Sequence, residues 1–397
     1  MSRQAVRLLA TAEAISATGS LAAYTALTYE VYHLTGSAYW VSTAAFASFA
    51  LAGAAAPFAG WLADRYDRRR VMIGSDLSAA LIYAAAAVGA TEPFLLVLVT
   101  ALGTLAAAPF RPAGNAALPN LVEAEDLARA NGLLSSAHSI GIVAGPVAGG
   151  LLVAASGATG AFIINAASFV LSALLVGRVR GNFAAPGRST HESVERGAGF
   201  RVAAGDPLLR CLLATEFLLL LGIGIGIAGD APLARELGAG PAGYAAIITS
   251  WGLGSVLAGL ALSRWPERPP RVDLGGLGVG LVMIAVAMAG TALLPTLPPV
   301  VAVQFVGGAG MSLVFVLRNV IVQRTTEDAV RGRVFAALDT AVAAGSLGGL
   351  ALAGLVIEQS GARAAYAWAA VLATLAGLIA IGVMRGSRPA SRSAQAS

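Results

Sequence analysis

Four ionisable side chains stand where their surroundings leave little room for charge: Glu13, Arg111, Glu216 and Arg318. Each falls inside an apolar run long enough to cross a bilayer. A charge near the middle of such a run costs roughly 2.5–3.5 kcal/mol on insertion scales. Two acids and two bases in that setting can pair, can meet a charged ligand, or can pass a proton as one partner releases the other. A plainer reading stays open, in which the arginines snorkel toward the headgroups and the glutamates neutralise them. A glutamate side chain is shorter and snorkels less far, so Glu13 and Glu216 point more strongly to function.

The elements that hold these residues follow from composition. The 397-residue chain is 57% hydrophobic and 12% charged, with a mean hydropathy of +0.76. Soluble domains carry about 25% charge, so this is a membrane protein. Every one of its 26 basic side chains is an arginine, and its single cysteine, Cys211, excludes an intrachain disulfide. The net charge of +5 does not signal nucleic-acid binding, because the arginines are scattered between apolar runs. Runs of about 20 residues are needed to span. Twelve are predicted, at about 8–32, 38–62, 71–90, 94–118, 131–155, 158–177, 208–229, 241–263, 274–293, 298–321, 334–356 and 362–384. With twelve spans, 22 arginines fall on one side and only Arg235 and Arg363 on the other. That bias places both termini in the cytoplasm. The apolar run behind Arg3 and Arg7 outlasts a signal-peptide core and reads as an uncleaved first span.

The chain also echoes itself. Leu9–Glu13 resembles Leu213–Glu216, and Glu125–Arg129 resembles Glu327–Arg331, both roughly 200 residues apart. Two six-helix halves related by an axis along the membrane normal produce such echoes. The expected organisation is an N-terminal bundle over 1–180, a cytoplasmic linker over 181–206, a C-terminal bundle over 207–386 and a cytoplasmic tail over 387–397. Glu13 and Glu216 then occupy matching positions in the first and seventh spans, and Arg111 and Arg318 in the fourth and tenth. All four lie about 10 Å inside the cytoplasmic end, at 1.5 Å per helical residue, as a ring of groups at one end of a central cavity.

Other candidates carry less. His138 reads as an interhelical hydrogen-bonding group. Asp76 and Asp339 lie one turn inside predicted helices, where the helix N-terminus favours an acid. Glu30 and Asp230 sit near outer span ends and read as wet. Gly222-x-Gly224-x-Gly226 lies inside a span without a preceding strand or a Lys-Ser/Thr pair, so it is a packing element and not a phosphate loop. The three histidines lie far apart, and no metal cluster, nucleophile–base pair or cofactor motif is evident.

Two motifs carry a family resemblance. Gly132, Gly141, Gly145, Pro146, Gly149 and Gly150 punctuate an apolar, helix-length segment. In a bilayer that pattern suits a kinked helix packed backbone to backbone. It resembles the fifth-helix antiporter motif of drug:proton exporters in the major facilitator superfamily. The loop Gly60-Trp61-Leu62-Ala63-Asp64-Arg65-Tyr66-Asp67-Arg68-Arg69-Arg70 resembles that superfamily's signature between spans two and three. Gly60 would permit close helix contact and Asp64 would face a helix N-terminus of the other half. Leu34–Ala38, Pro109–Ala113, Asn115–Pro119 and Arg331–Arg333 resemble the macrolide and enterobactin exporter branch. Where that branch commonly has Gly-Asp in the first span, this chain has Gly19-Ser20, which leaves Glu13 as the better coupling candidate.

The resemblance implies an all-α fold of twelve transmembrane helices in two pseudo-symmetric bundles. It implies a monomer in a bacterial inner membrane that exports a small organic molecule in exchange for protons, without a cofactor. Substrate would sit between the halves, in a cavity lined mainly by the first, fourth, seventh and tenth helices, and the intact loop signature would lock the outward-open state. The glycine-rich fifth helix would seal against the opposite half. Glu13→Gln or Glu216→Gln is expected to abolish proton-coupled transport while insertion persists. An importer or facilitator of the same fold is the alternative, and a membrane-embedded enzyme or receptor is a more distant one.

Overall fold

A computed structural model describes residues 2–89, 92–123, 126–181, 183, 201, 205–264 and 269–386. Its helices are α1 (Ser2–Thr35), α2 (Ala38–Arg65), α3 (Arg68–Gly89), α4 (Pro93–Ala107), α5 (Phe110–Leu121), α6 (Leu127–Arg178), α7 (Pro207–Ile227), α8 (Asp230–Glu236), α9 (Gly240–Ser263), α10 (Pro270–Leu293), α11 (Leu297–Thr325), α12 (Asp328–Ser360) and α13 (Ala362–Gly386). Among the described residues there is no strand. Most of the predicted interhelical linker and the whole tail lie outside them.

The predicted crossings map onto these helices with three adjustments. The fifth and sixth crossings form one helix in α6, broken at Gly157, whose φ of +69° only glycine adopts without strain. Backbone dihedrals stay helical through Pro146, so the sharp break lies at Gly157 and not at the proline. The fourth crossing is split at Ala108–Pro109, where a proline cannot donate to the helix it enters. The seventh is α7 followed by the short α8. Chain chemistry sets several starts. Asp206 accepts from the amides of Leu208 and Leu209 at 2.7 and 3.2 Å, with Pro207 at the first helical position.

Helix pairings repeat between halves. α1 packs along α6 as α7 packs along α12, and α3 meets α6 as α10 meets α13. The halves join where α6 meets α9 and where α2 meets α12, a swapped pair of contacts that a two-fold pseudo-axis requires.

Glycine makes the long seams possible. A Cβ on Gly141 would lie 3.0 Å from the backbone of Ala17, one on Gly145 3.0 Å from the Thr18 carbonyl, and one on Gly149 2.9 Å from Ala22 Cα. The glycine face of α6 therefore seats α1 of its own half. This corrects the expected seal against the opposite half, which is left to Gly150, facing Ala245 of α9. Gly345 and Gly349 of α12 meet α7 in the same way, so the device belongs to the repeat. Gly132 and Gly60 have nothing within 4 Å of a built Cβ, and close packing explains neither. Gly149→Val should destabilise the protein by about 1–3 kcal/mol through overpacking, read as a lower melting temperature in detergent, while Gly132→Ala should leave it unchanged.

Candidate functional site

Between the halves lies a cavity of about 750 Å³, within the range of small-molecule sites. α1 lines its length from Glu13 to Thr28, and α6 contributes His138, Ile142, Pro146 and Phe169. α7, α8 and α9 supply Ile223, Gly226, Ile227, Asp230, Tyr244, Ile247, Ile248 and Trp251. Of the first, fourth, seventh and tenth crossings expected to line it, the tenth contributes little. Only Gln304 of α11 reaches the wall, because Gly308 brings α11 flush against the backbone of Trp251 on α9.

The cavity is closed at the end away from the chain termini. There the Tyr244 hydroxyl lies 2.7 Å from that of Thr28, and the Tyr29 and Tyr244 rings pack at 5.6 Å. Glu358 of α12 accepts from Ser37 Oγ at 2.5 Å and from the Ala38 amide at 2.9 Å. Ala38 and Val41 pack with Ile225, Ala228, Ala353, Ile357 and Ala365 in one apolar cluster across the halves.

At the terminal side, Glu13 Oε1 lies 3.4 Å from Arg111 Nε and 2.8 Å from His138 Nδ1. Arg111 Nη1 is 3.3 Å from His138 Nε2. Those partners fit an imidazole that donates from Nδ1 to the carboxylate and accepts at Nε2 from the guanidinium. Three helices, α1, α5 and α6, are thereby tied by one cluster. Arg111 is the second residue of α5, just after the break at Ala108–Pro109. A smaller cavity of about 220 Å³ abuts Glu13 and Arg111 from behind, so the cluster partitions two spaces.

In the C-terminal half Glu216 Oε1 lies 3.6 Å from Arg318 Nη1, and Asp339 is 4.0 Å from Arg318 Nη2. Arg318 also donates to Asn319 Oδ1 at 3.1 Å and sits 4.8 Å over the Phe315 ring. Glu216 is 1% exposed and Arg318 5%. The four residues thus form two acid–base pairs and not a ring. Only the Glu13 pair lines the cavity, since α11 and α12 cover Glu216 at its level.

Two acids that the sequence reading set aside prove to be cavity residues. α3 begins at Arg68, so Asp76 is more than two turns inside it, beyond reach of the helix terminus. It is fully buried beside the Ser172 hydroxyl of α6, and no basic side chain pairs with it among the described residues. Asp230 lines the closed end and accepts a short hydrogen bond from Tyr366 of α13, so it is not a wet surface acid. Asp76 is marked by burial and Asp230 by its place on the cavity wall, and a span boundary misplaced by a few residues hides both.

The loop between α2 and α3 makes several contacts inside its own half. Arg65 stacks 5.7 Å over Trp61, Arg69 donates to the Gly177 carbonyl and lies 5.9 Å from the Phe183 ring, and the Arg68 amide donates to the Phe183 carbonyl at 3.2 Å. Asp64 is exposed and makes no ion pair among the described residues.

Comparison with known proteins adds four findings. The family description Major Facilitator Superfamily matches residues 9–231 and again 212–396. The Multidrug efflux pump Tap of Mycolicibacterium fortuitum is 28% identical over 347 residues, covering 81% of this chain and 82% of that protein. The Putative bacilysin exporter BacE of Bacillus subtilis (strain 168) is 23% identical over 319 residues, 77% of each chain. Among solved structures, a bacterial homolog of the human lysosomal transporter Spinster, inward-facing and unoccupied, superposes with a TM-score of 0.71 over 99% of this chain and 100% of that one. At 16% identity this is a likeness of fold.

Proposed function

The chain belongs to the Major Facilitator Superfamily and is a multi-pass membrane transporter, and from that premise we propose that it exports a small organic molecule in exchange for protons across a bacterial inner membrane. The arginine bias puts both termini in the cytoplasm. The cavity then faces the cytoplasm in this conformation, ready to load cargo for export. Relatives named as a multidrug efflux pump and an exporter favour that direction over import.

The observation that carries the proton reading is the placement of acids on the cavity wall. Asp76 is a fully buried carboxylate beside the Ser172 hydroxyl, with no basic partner among the described residues. An unpaired ionised carboxylate in such a place is costly, so it holds a proton while buried and can surrender it when the conformation opens a wet path. The Glu13–Arg111–His138 cluster at the mouth acts as the gate, the charged group that cargo or a proton meets first on entering from that side. Rocking of one bundle against the other, 1–180 against 207–386, would alternate access. The motif loop would engage the other half when the cytoplasmic side closes.

The test is expression in an efflux-deficient bacterium challenged with antibiotics and siderophores, with and without a protonophore. The expected result is resistance and reduced accumulation of at least one compound, both abolished by the protonophore. Protonophore-insensitive accumulation with no resistance would overturn export by proton exchange.

A further inference from the structure

The closed end of the cavity holds a carboxylate that the proton cycle does not use, and we propose that Asp230 is the docking point for the cationic head of an amphipathic substrate, a protonated lipophilic amine or a quaternary cation. Asp230 begins α8, directly after the Ala228–Gly229 turn. The Tyr366 hydroxyl donates to it, Tyr24 and Tyr244 lie near enough to feel its charge, and Trp251 lines the same cavity. Aromatic rings beside a carboxylate offer a cation both a counter-charge and several π faces.

The aromatic side chains are seated by the sequence around them. A Cβ at Gly229 would lie 3.3 Å from the Tyr366 ring and one at Gly226 3.7 Å from it. Gly307 likewise leaves no space for a Cβ beside the Trp251 indole, where it would come within 3.0 Å of a second ring atom. Glycine at positions 229 and 307 makes room for the rings, whereas the contact at Gly226 is an ordinary one. Tyr244 is fixed by Thr28 at 2.7 Å. Such a cage is held in place before a ligand arrives, which reduces the ordering entropy that binding must overcome.

Charge decides the class of ligand. No basic side chain pairs with Asp230 among the described residues. The two arginines of that side are engaged elsewhere: Arg235 sits 6.0 Å over the Tyr32 ring, while Arg363 pairs with Glu236 at 3.5 Å and donates to the carbonyls of Ala292 and Leu294. An anionic ligand reaching this end would find a carboxylate and no counter-charge. A neutral one would leave that carboxylate with the Tyr366 hydroxyl and no counter-charge. A cation resolves both, and the walls of Ile223, Ile227, Ile247 and Met288 accept its apolar body.

The inference rests on the cavity being the transport path and not on the direction of transport or on protons. It is tested on the purified full-length protein by equilibrium binding of tetraphenylphosphonium and of tetraphenylborate, ions of like shape and opposite charge. The wild type should bind the cation at least about tenfold more tightly than the anion. Asp230→Asn should erase the preference, Asp230→Glu should keep it, and Trp251→Leu should weaken the cation severalfold without strengthening the anion. Equal binding of the two ions by the wild type, no binding of the cation, or an undiminished preference in Asp230→Asn would each overturn the proposal. If Asp230→Asn does not fold, the Trp251→Leu result decides it by the same criterion. Loss of protonophore sensitivity in the cellular assay would sink proton exchange and leave this result standing.

Discussion

Arg318→Met should destabilise the protein by about 3–5 kcal/mol, the cost of leaving one member of a buried ion pair without its partner. Glu216, 1% exposed on α7, would then face the apolar interior with its carboxylate uncompensated. The larger part of the loss comes from that stranded charge and not from the Coulomb attraction itself, because both charges already lose hydration on burial. The double variant Glu216→Gln/Arg318→Met should therefore recover most of the lost stability, and Glu216→Gln alone should be intermediate. Melting temperatures of the detergent-purified proteins distinguish these cases, and equal melting of Arg318→Met and wild type would mean that water reaches the pair. Because this pair is off the cavity, Glu216→Gln should reduce folded protein more than it alters transport per folded molecule. The sequence-based expectation of lost coupling is thus narrowed to the N-terminal half.

That narrowing shows where sequence reasoning reached and where it stopped. The twelve-helix superfamily fold was legible because the hydrophobic runs are about one bilayer long and the arginines segregate to one side. The turn at Ser156-Gly157 was legible because glycine and a short polar residue interrupt an apolar run, and the structure places a positive-φ glycine there. The pairing of Glu13 with Arg111 and of Glu216 with Arg318 could be anticipated only as matching levels in a repeat. Which pair faces the cavity depends on how α11 and α12 cover α7, a tertiary matter with no local signature. Asp76 was set aside because its helix was started at residue 71, which made it a first-turn acid. With the start at Arg68 the dipole argument no longer applies. Asp230 was set aside by its nearness to a span end, yet α8 extends the seventh crossing and keeps it inside. The partner of the Gly141–Gly149 face was misjudged for a related reason: a small-residue stripe announces a close contact but does not say with which helix.

Asp76→Asn should abolish accumulation against a gradient while downhill passage of the same substrate persists. Asparagine matches the protonated carboxyl in size, so the cavity wall keeps its shape, but the group can no longer release a proton on one side and bind one on the other. In vesicles with the membrane potential clamped, one pH unit across the membrane supplies about 1.4 kcal/mol per proton, enough for roughly a tenfold substrate gradient per proton exchanged. The wild type should build such a gradient and lose it when the pH difference is collapsed. Asp76→Asn should build none, yet should equilibrate preloaded substrate within a few-fold of the wild-type rate, and Asp76→Glu should restore part of the gradient. Glu13→Gln should behave differently. It leaves Arg111 without its carboxylate and loosens the tie among α1, α5 and α6, so both uphill and downhill rates should fall together. A gradient of wild-type size in Asp76→Asn would exclude this carboxylate as the proton carrier. A selective loss of uphill transport in Glu13→Gln, with downhill passage intact, would return that role to the cluster at the mouth.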